Sequence, residues 1–288
     1  MAEAARVSMT HGDNIISCRE VTKRYPVQLS MRAILSLRFK RVQKCVLEGV
    51  TFDVAPGEIF GIVGPNGAGK TTILKILSHL TTPTRGSASV CGYDVEKQWN
   101  QAVRCIGYCI SEERSFFWRL TGRQNLLFFA DLLEVPVRAA RTKIGELFEM
   151  LELAEAADER FMNYSSGMKQ KMAIARSLLA DPQVLLMDEP TRGLDPRAAS
   201  RLRSFIEEYI SAKGRAAIVT TNQIADIENL CKKIAILDHG DIIARGTVHE
   251  IISLAREIVR TGEDMSFERA FTIILERHEK ALGTGPGE

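Results

Sequence analysis

Residues Gly64-Pro65-Asn66-Gly67-Ala68-Gly69-Lys70-Thr71 fit the spacing G-x-x-x-x-G-K-[ST] in full. Each residue type has a reason to be there. Glycines let the backbone fold around phosphate groups with its N–H donors turned inward, and a helix that starts at the loop adds the positive end of its dipole. Lys70 is spaced to reach β- and γ-phosphates, and the Thr71 hydroxyl is a hard oxygen ligand for Mg2+. Much later, Val184-Leu185-Leu186-Met187-Asp188-Glu189 forms an apolar run closed by two acids. An acid at the carboxyl end of a strand beside a phosphate loop can hold Mg2+, which assigns Asp188 to the metal. Glu189 is then the general base that polarises an attacking water. Together the two elements predict a Mg2+-dependent nucleoside triphosphatase.

Such a loop requires a strand before it and a helix after it. Glu58–Val63 is a short apolar strand following a Pro56-Gly57 turn, and Ile73, Leu74, Ile76, Leu77 and Leu80 recur at helical spacing. Further strands are expected at 15–21, 46–54, 105–110, 184–187, 216–220 and 234–237, with helices over 197–212 and 224–232. Strands alternating with helices predict a mainly parallel sheet. Leu126, Leu127, Phe128, Ala130, Leu132 and Leu133 form an apolar helix ended near Pro136, and Ile144, Leu147, Phe148, Met150 and Leu151 a second one. That helical run, about residues 112–165, is expected to be an inserted subdomain. The predicted layout is a domain over 14–250, interrupted by a basic insertion at 27–44 and followed by a helical tail over 251–288.

Composition narrows the class. A length of 288 residues suits two domains or one large domain with an insert. With 45% hydrophobic and 26% charged residues, disorder cannot account for the whole chain. The balance of 38 Lys+Arg against 36 Asp+Glu leaves no global field for nucleic acid, so any basic surface must be local. No run reaches the roughly 18 apolar residues of a membrane-spanning helix. The first residues, MAEAARVSMTHGDN, show no basic segment followed by an apolar one. Cys18, Cys45, Cys91, Cys105, Cys109 and Cys231 are scattered without a CxxC pair, as reduced structural cysteines are. A soluble, cytosolic chain is the expectation.

Three further motifs make the sequence resemble the nucleotide-binding domain of ABC transporters. Tyr164-Ser165-Ser166-Gly167-Met168-Lys169-Gln170 stands where that family has its LSGGQ signature, matching it in part through Ser165 and Gly167. Gly193-Leu194-Asp195, soon after Asp188-Glu189-Pro190-Thr191, looks like the D-loop. GPNGAGKTT followed by DEPTRGLDP is highly specific, and the resemblance covers roughly residues 14–250. It implies a P-loop NTPase fold of the ABC cassette type: α/β, a mainly parallel sheet core, an antiparallel β part and an inserted α-helical subdomain. It implies ATP and Mg2+ as cofactors, with Thr72 completing the loop and Tyr25 resembling the aromatic that stacks on adenine. Tyr25 is alternatively a core residue, because the insertion lengthens its distance from the loop.

Ser165, Ser166 and Gly167 open a helix, so free N–H groups and a hydroxyl face outward together. The resemblance implies two cassettes meeting head to tail, the signature and Asp195 of each acting on ATP held by the other. It also implies an integral membrane permease as partner, with no nucleic acid, and a place on the cytoplasmic face of the cell membrane. An exporter is favoured over an importer because the tail is short and the motif style is exporter-like.

Two positions depart from the family. Where it has Gln after the strand Cys105–Ile110, this chain has Ser111, too short to reach the site except through a water or a shifted loop. Where it has His after Ala217–Thr221, this chain has Asn222, which can donate to a γ-phosphate but cannot carry a proton or a charge. Slow, Glu189-dependent hydrolysis is expected, with little rate dependence on a group titrating at about pH 6.5. The insertion 27–44 either packs on a sheet edge with its charges in water or lies against an anionic leaflet. Phe116, Phe117 and Trp118 either fill a core or line the groove for a permease helix. Rival readings are a soluble ABC ATPase acting on ribosomes or DNA, and a nucleotide-gated interaction module with little turnover.

Overall fold

The computed structural model describes residues 14–26, 43–110, 115–260 and 263–283. Its centre is a six-stranded sheet made of β3 (Ile59–Val63), β6 (Ile106–Cys109), β7 (Val184–Asp188), β8 (Ala216–Thr221), β9 (Lys233–Asp238) and β10 (Asp241–Gly246). The order is β10-β9-β3-β8-β7-β6, parallel except for the antiparallel edge strand β10. β3 and β8 are buried along their whole length. That is why they read as continuous apolar runs: a parallel sheet is covered on both faces.

The side-chain period of two divides these strands between two cores. Ile59, Val63, Leu185, Met187, Val219 and Ile236 point into the larger, helical one. Phe60, Ile62, Leu186, Ile218, Ala235 and Leu237 point into the other. The second core is closed by α1 (Lys70–Leu77) and by a four-stranded antiparallel sheet, β2-β1-β4-β5. These strands are β1 (Ile16–Pro26), β2 (Gln43–Val54), β4 (Arg85–Val90) and β5 (Tyr93–Asp94). The fold is therefore α/β, with the parallel core, antiparallel part and helical segment expected from the sequence.

After β5 the chain forms α2 (Trp99–Arg104), β6, and then the helical segment of α3 (Gly122–Leu132) and α4 (Val137–Met150). Thr121 and Gln124 form a reciprocal capping box that fixes the start of α3. The remaining helices are α5 (Ser166–Ser177), α6 (Pro196–Ser211), α7 (Ile224–Leu230), α8 (Val248–Val259) and α9 (Phe267–Leu282). In the C-terminal segment Ile251, Ala255, Phe267, Ala270 and Ile274 belong to the larger core, so α8 and α9 are packed on the sheet.

Several elements differ from the sequence expectation. β1 runs on to Pro26 and β2 starts at Gln43. β4, β5, α2 and β10 were not foreseen. β4 reads RGSASV, and only Ala88 and Val90 in it are buried, so it carries almost no hydrophobic period. β10 follows a two-residue hairpin turn in which both His239 (φ 46°) and Gly240 (φ 88°) are left-handed. The insertion at 27–44 lies outside the described residues except for its last two positions. All six cysteines are free thiols. Among the described residues no helix is long and apolar enough to cross a membrane.

Candidate functional site

The phosphate loop joins the carboxyl end of β3 to the first turn of α1, the edge where ligands settle in sheets of this kind. Gly64 cannot carry a side chain, since a Cβ would lie 1.9 Å from the Leu237 carbonyl oxygen. Gly69 caps α1 with φ 112° and no side-chain hydrogen bond. The first N–H groups of α1 thus keep their donor capacity for an anion. Gly67 is also left-handed (φ 84°), and Pro65, Asn66 and Gly67 are exposed while Ala68 is buried.

Lys70 folds back over the loop and donates to the carbonyl oxygens of Gly64 (2.5 Å) and Pro65 (3.0 Å). Burial lowers its pKa below the usual lysine range, an effect that Glu189 and Asp188 oppose. The Thr71 hydroxyl donates to Asp188 Oδ2 at 2.9 Å, and Thr220 donates to Asp188 Oδ1. These two hard oxygens converge from α1 and β7. A hydroxyl and a carboxylate in contact suit a small hard cation that takes its other ligands from phosphate and water. Among the described residues no group of three His, Cys, Asp or Glu side chains could hold a metal unaided.

Glu189 follows β7 in a left-handed conformation (φ 49°), with its N–H bonded to Thr220 O at 2.8 Å. Asn222, at the exit of β8, donates to Asn66 Oδ1 at 3.0 Å and faces Glu189 Oε1 at 3.4 Å. It therefore ties the phosphate loop to the end of β8. Tyr25, Asn66, Gly67, Gly69, Lys70, Thr71, Thr72, Asp188 and Glu189 line a single cleft of ≈ 440 Å3. That is large enough for a nucleotide-sized ligand. Lys23 places its ammonium 4.8 Å from the centre of the Tyr25 ring. Ser111 lies outside the described residues.

Residues 47–192 match the family described as ABC transporter. The Nod factor export ATP-binding protein I of Burkholderia pseudomallei is 37% identical over 229 residues, covering 76% of this chain and 73% of that protein. The doxorubicin resistance ATP-binding protein DrrA of Mycobacterium tuberculosis is 38% identical over 247 residues, covering 83% and 73%. The chain belongs to the ABC transporter family. A solved ATP-binding subunit of an ABC transporter superposes with a TM-score of 0.73 at 25% identity, covering 91% of this chain and 99% of that one. A dimeric ATP-binding cassette with ADP and Pi shares the fold, with a TM-score of 0.70 at 23% identity over 81% and 98%.

In this ABC subunit the segments that resemble the signature and the D-loop lie together and do not line the cleft. Ser165 caps α5, its hydroxyl accepting from Met168 N–H at 3.2 Å. Asp195 caps α6, accepting from the N–H groups of Arg197 and Ala198 at 3.0 Å each. The Ala198 N–H, with that of Arg197 and the Arg201 charge, holds the Asp195 carboxyl below its ordinary pKa. The two loops touch: a Cβ on Gly167 would meet Leu194 at 3.3 Å, and one on Gly193 would meet Ser166 Oγ at 3.9 Å. Ser165 and Ser166 are exposed.

The sequence reading missed the residues that hold these loops from behind. Asp226, fully buried on α7, accepts from Thr191 (2.5 Å) and Thr221 (3.1 Å) and pairs with Arg203 (2.9 Å). It thereby joins the segment after Glu189 to the residue before Asn222. Gln170, buried in α5, donates to Pro190 O at 2.9 Å and so links the signature helix to the exit of β7. No local motif marks Asp226, and Gln170 closes the signature-like string without its bond to Pro190 being visible there. The one signal was a polar side chain at an otherwise apolar helical position.

Proposed function

We propose that this ABC subunit binds ATP with Mg2+ and hydrolyses it to power export through a separate integral membrane permease. It does so as one of two cassettes, from the cytoplasmic face of the cell membrane. The observation that carries this reading is the convergence in one cleft of the phosphate loop, the Thr71–Asp188 contact and Glu189. The loop and α1 N–H groups donate to phosphate oxygens, and Lys70 exchanges its carbonyl partners for the β- and γ-phosphates. Thr71 and Asp188 would hold Mg2+, which would supply positive charge beside the phosphate groups. Glu189 takes the proton of the attacking water, and Asn222 donates a neutral hydrogen bond beside it.

Tyr25, which lines the cleft, offers a ring face to adenine. Ser165, Ser166, Gly167 and Asp195 do not line their own cleft, and Ser165, Ser166 and Asp195 are exposed, which supports their acting on ATP held by a second cassette. Export is supported by the relatives whose names are those of an export protein and a drug-resistance protein. The deciding experiment replaces Glu189 with Gln. Hydrolysis falls by roughly 10²- to 10⁴-fold, while binding of a fluorescent ATP analogue persists. An unchanged rate in clean protein would overturn the assignment.

A further inference from the structure

Three residues beyond Glu189, the turn closed by Arg192 N–H to Glu189 O (3.1 Å) brings the Arg192 side chain back over that acid. Its Nη1 donates to Glu189 Oε2 at 2.9 Å. Among the described residues, the other oxygen, Oε1, faces the neutral Asn222 amide at 3.4 Å. At these lengths the charge-assisted bond dominates, so Arg192 rather than Asn222 decides how the carboxylate is turned. Arg192 also lines the ≈ 500 Å3 space shared by Thr71, Lys75, Tyr108, Asp188 and Glu189, so its charge stands beside the reacting groups. Stability does not account for the pair. The Arg192 side chain is 72% exposed, and an ion pair so wet adds about 0–1 kcal/mol to folding.

We propose that Arg192 is a positioning residue for hydrolysis. Its guanidinium keeps the Glu189 carboxylate aimed across the cleft, through a bond shorter than the 3.4 Å contact from the neutral Asn222 amide. The proposal rests on Glu189 being the base, and the two fail differently. If Glu189→Gln leaves turnover intact, the base assignment falls; if Glu189→Gln is inactive and Arg192→Ala is fully active, only the role of Arg192 falls.

The test compares wild type, Arg192→Ala, Arg192→Lys, Glu189→Gln and the double variant in the purified chain with Mg2+ and ATP. It reads kcat, KM, the affinity for a fluorescent ATP analogue and the melting temperature without nucleotide. A misaimed base costs about tenfold or more in kcat, so Arg192→Ala loses at least that while nucleotide affinity stays within about twofold. Its melting temperature stays within about 2 °C of wild type, as the loss of an exposed pair allows. Arg192→Lys keeps the charge without the fork and retains an intermediate rate. In single-turnover measurements Arg192→Ala adds no further loss to Glu189→Gln, because the two act as one unit. The proposal is overturned by a wild-type or raised kcat in Arg192→Ala, by a loss confined to KM, or by an equal proportional loss in the Glu189→Gln background.

Discussion

The cleft and the signature patch use the same physics and end differently. In the cleft, an uncapped helix start at Gly69 is walled by the ends of β3, β7 and β8, and acids from β7 meet a hydroxyl from α1. In the patch, two helix starts, at Ser165 and Asp195, lie side by side, each capped by its own side chain and open to solvent. The first has donors, acids and walls in one place. The second has donors and a hydroxyl on an exposed surface. The patch residues do not line the cleft of their own chain, and this supports a site that becomes whole only when a second copy or a second cassette supplies the missing side.

The largest expected effect comes from splitting the two regions between molecules. Lys70→Ala and Ser165→Arg each abolish hydrolysis alone, the first by emptying the cleft and the second by blocking the patch. In a homodimer, mixing the two variants restores activity, because the mixed dimer contains one site built from an intact cleft and an intact patch. Random pairing at equal amounts puts half the chains in mixed dimers with one working site, so recovery approaches about a quarter of wild type. An ATPase assay of the mixture reads this directly. No recovery would show that patch and cleft serve the same chain, or that the second cassette is a different protein.

The two regions were also unequally legible in the sequence. Gly64–Thr71 and Asp188–Glu189 are contiguous strings whose chemistry is local, and the flanking apolar strand and helical spacing declare their placement. Ser165–Gly167 were legible as a helix start and Asp195 as a residue of a D-loop-like string, but which surface they face is a property of packing. Asp226, Gln170 and Arg192 were not legible because their partners, such as Thr191, Pro190 and Glu189, are reached by tertiary folding or by a turn that spacing does not reveal. β4 escaped for a different reason: Arg85–Val90 is built from small polar residues, and its burial comes from its position against β1.

Asp226 gives the next largest effect and tests how the two regions are joined. It receives Thr191, from the segment leading to the D-loop, and Thr221, from the segment leading to Asn222. Removing its carboxylate leaves Arg203, whose side chain is only 15% exposed, without its acid partner. Breaking a buried pair in this way costs about 3–5 kcal/mol. Asp226→Ala is therefore expected to lower the denaturant midpoint strongly, and Asp226→Asn, which keeps an acceptor and the volume, by less. If both variants unfold at the wild-type midpoint, the network does not hold the loops together.

Asp195 gives the smallest effect, and it belongs to the patch alone. Its carboxyl is held below the ordinary aspartate range, first by the Ala198 N–H. A depressed folded pKa stabilises the folded state above the unfolded value of about 3.9 and loses that contribution as pH falls through the folded pKa. Asn caps a helix about as well as Asp but carries no charge for the helix dipole. Wild type is therefore expected to melt slightly higher than Asp195→Asn at pH 7, with the gap closing as pH drops below about 4. Calorimetry of the two proteins across that range reads the gap. A gap that does not shrink at all as pH falls below about 4 would mean that Asp195 stabilises the lone chain through something other than its charge. Because the residue is exposed, the whole effect stays small in the single chain, and a larger one that depends on ATP would place Asp195 against a second cassette.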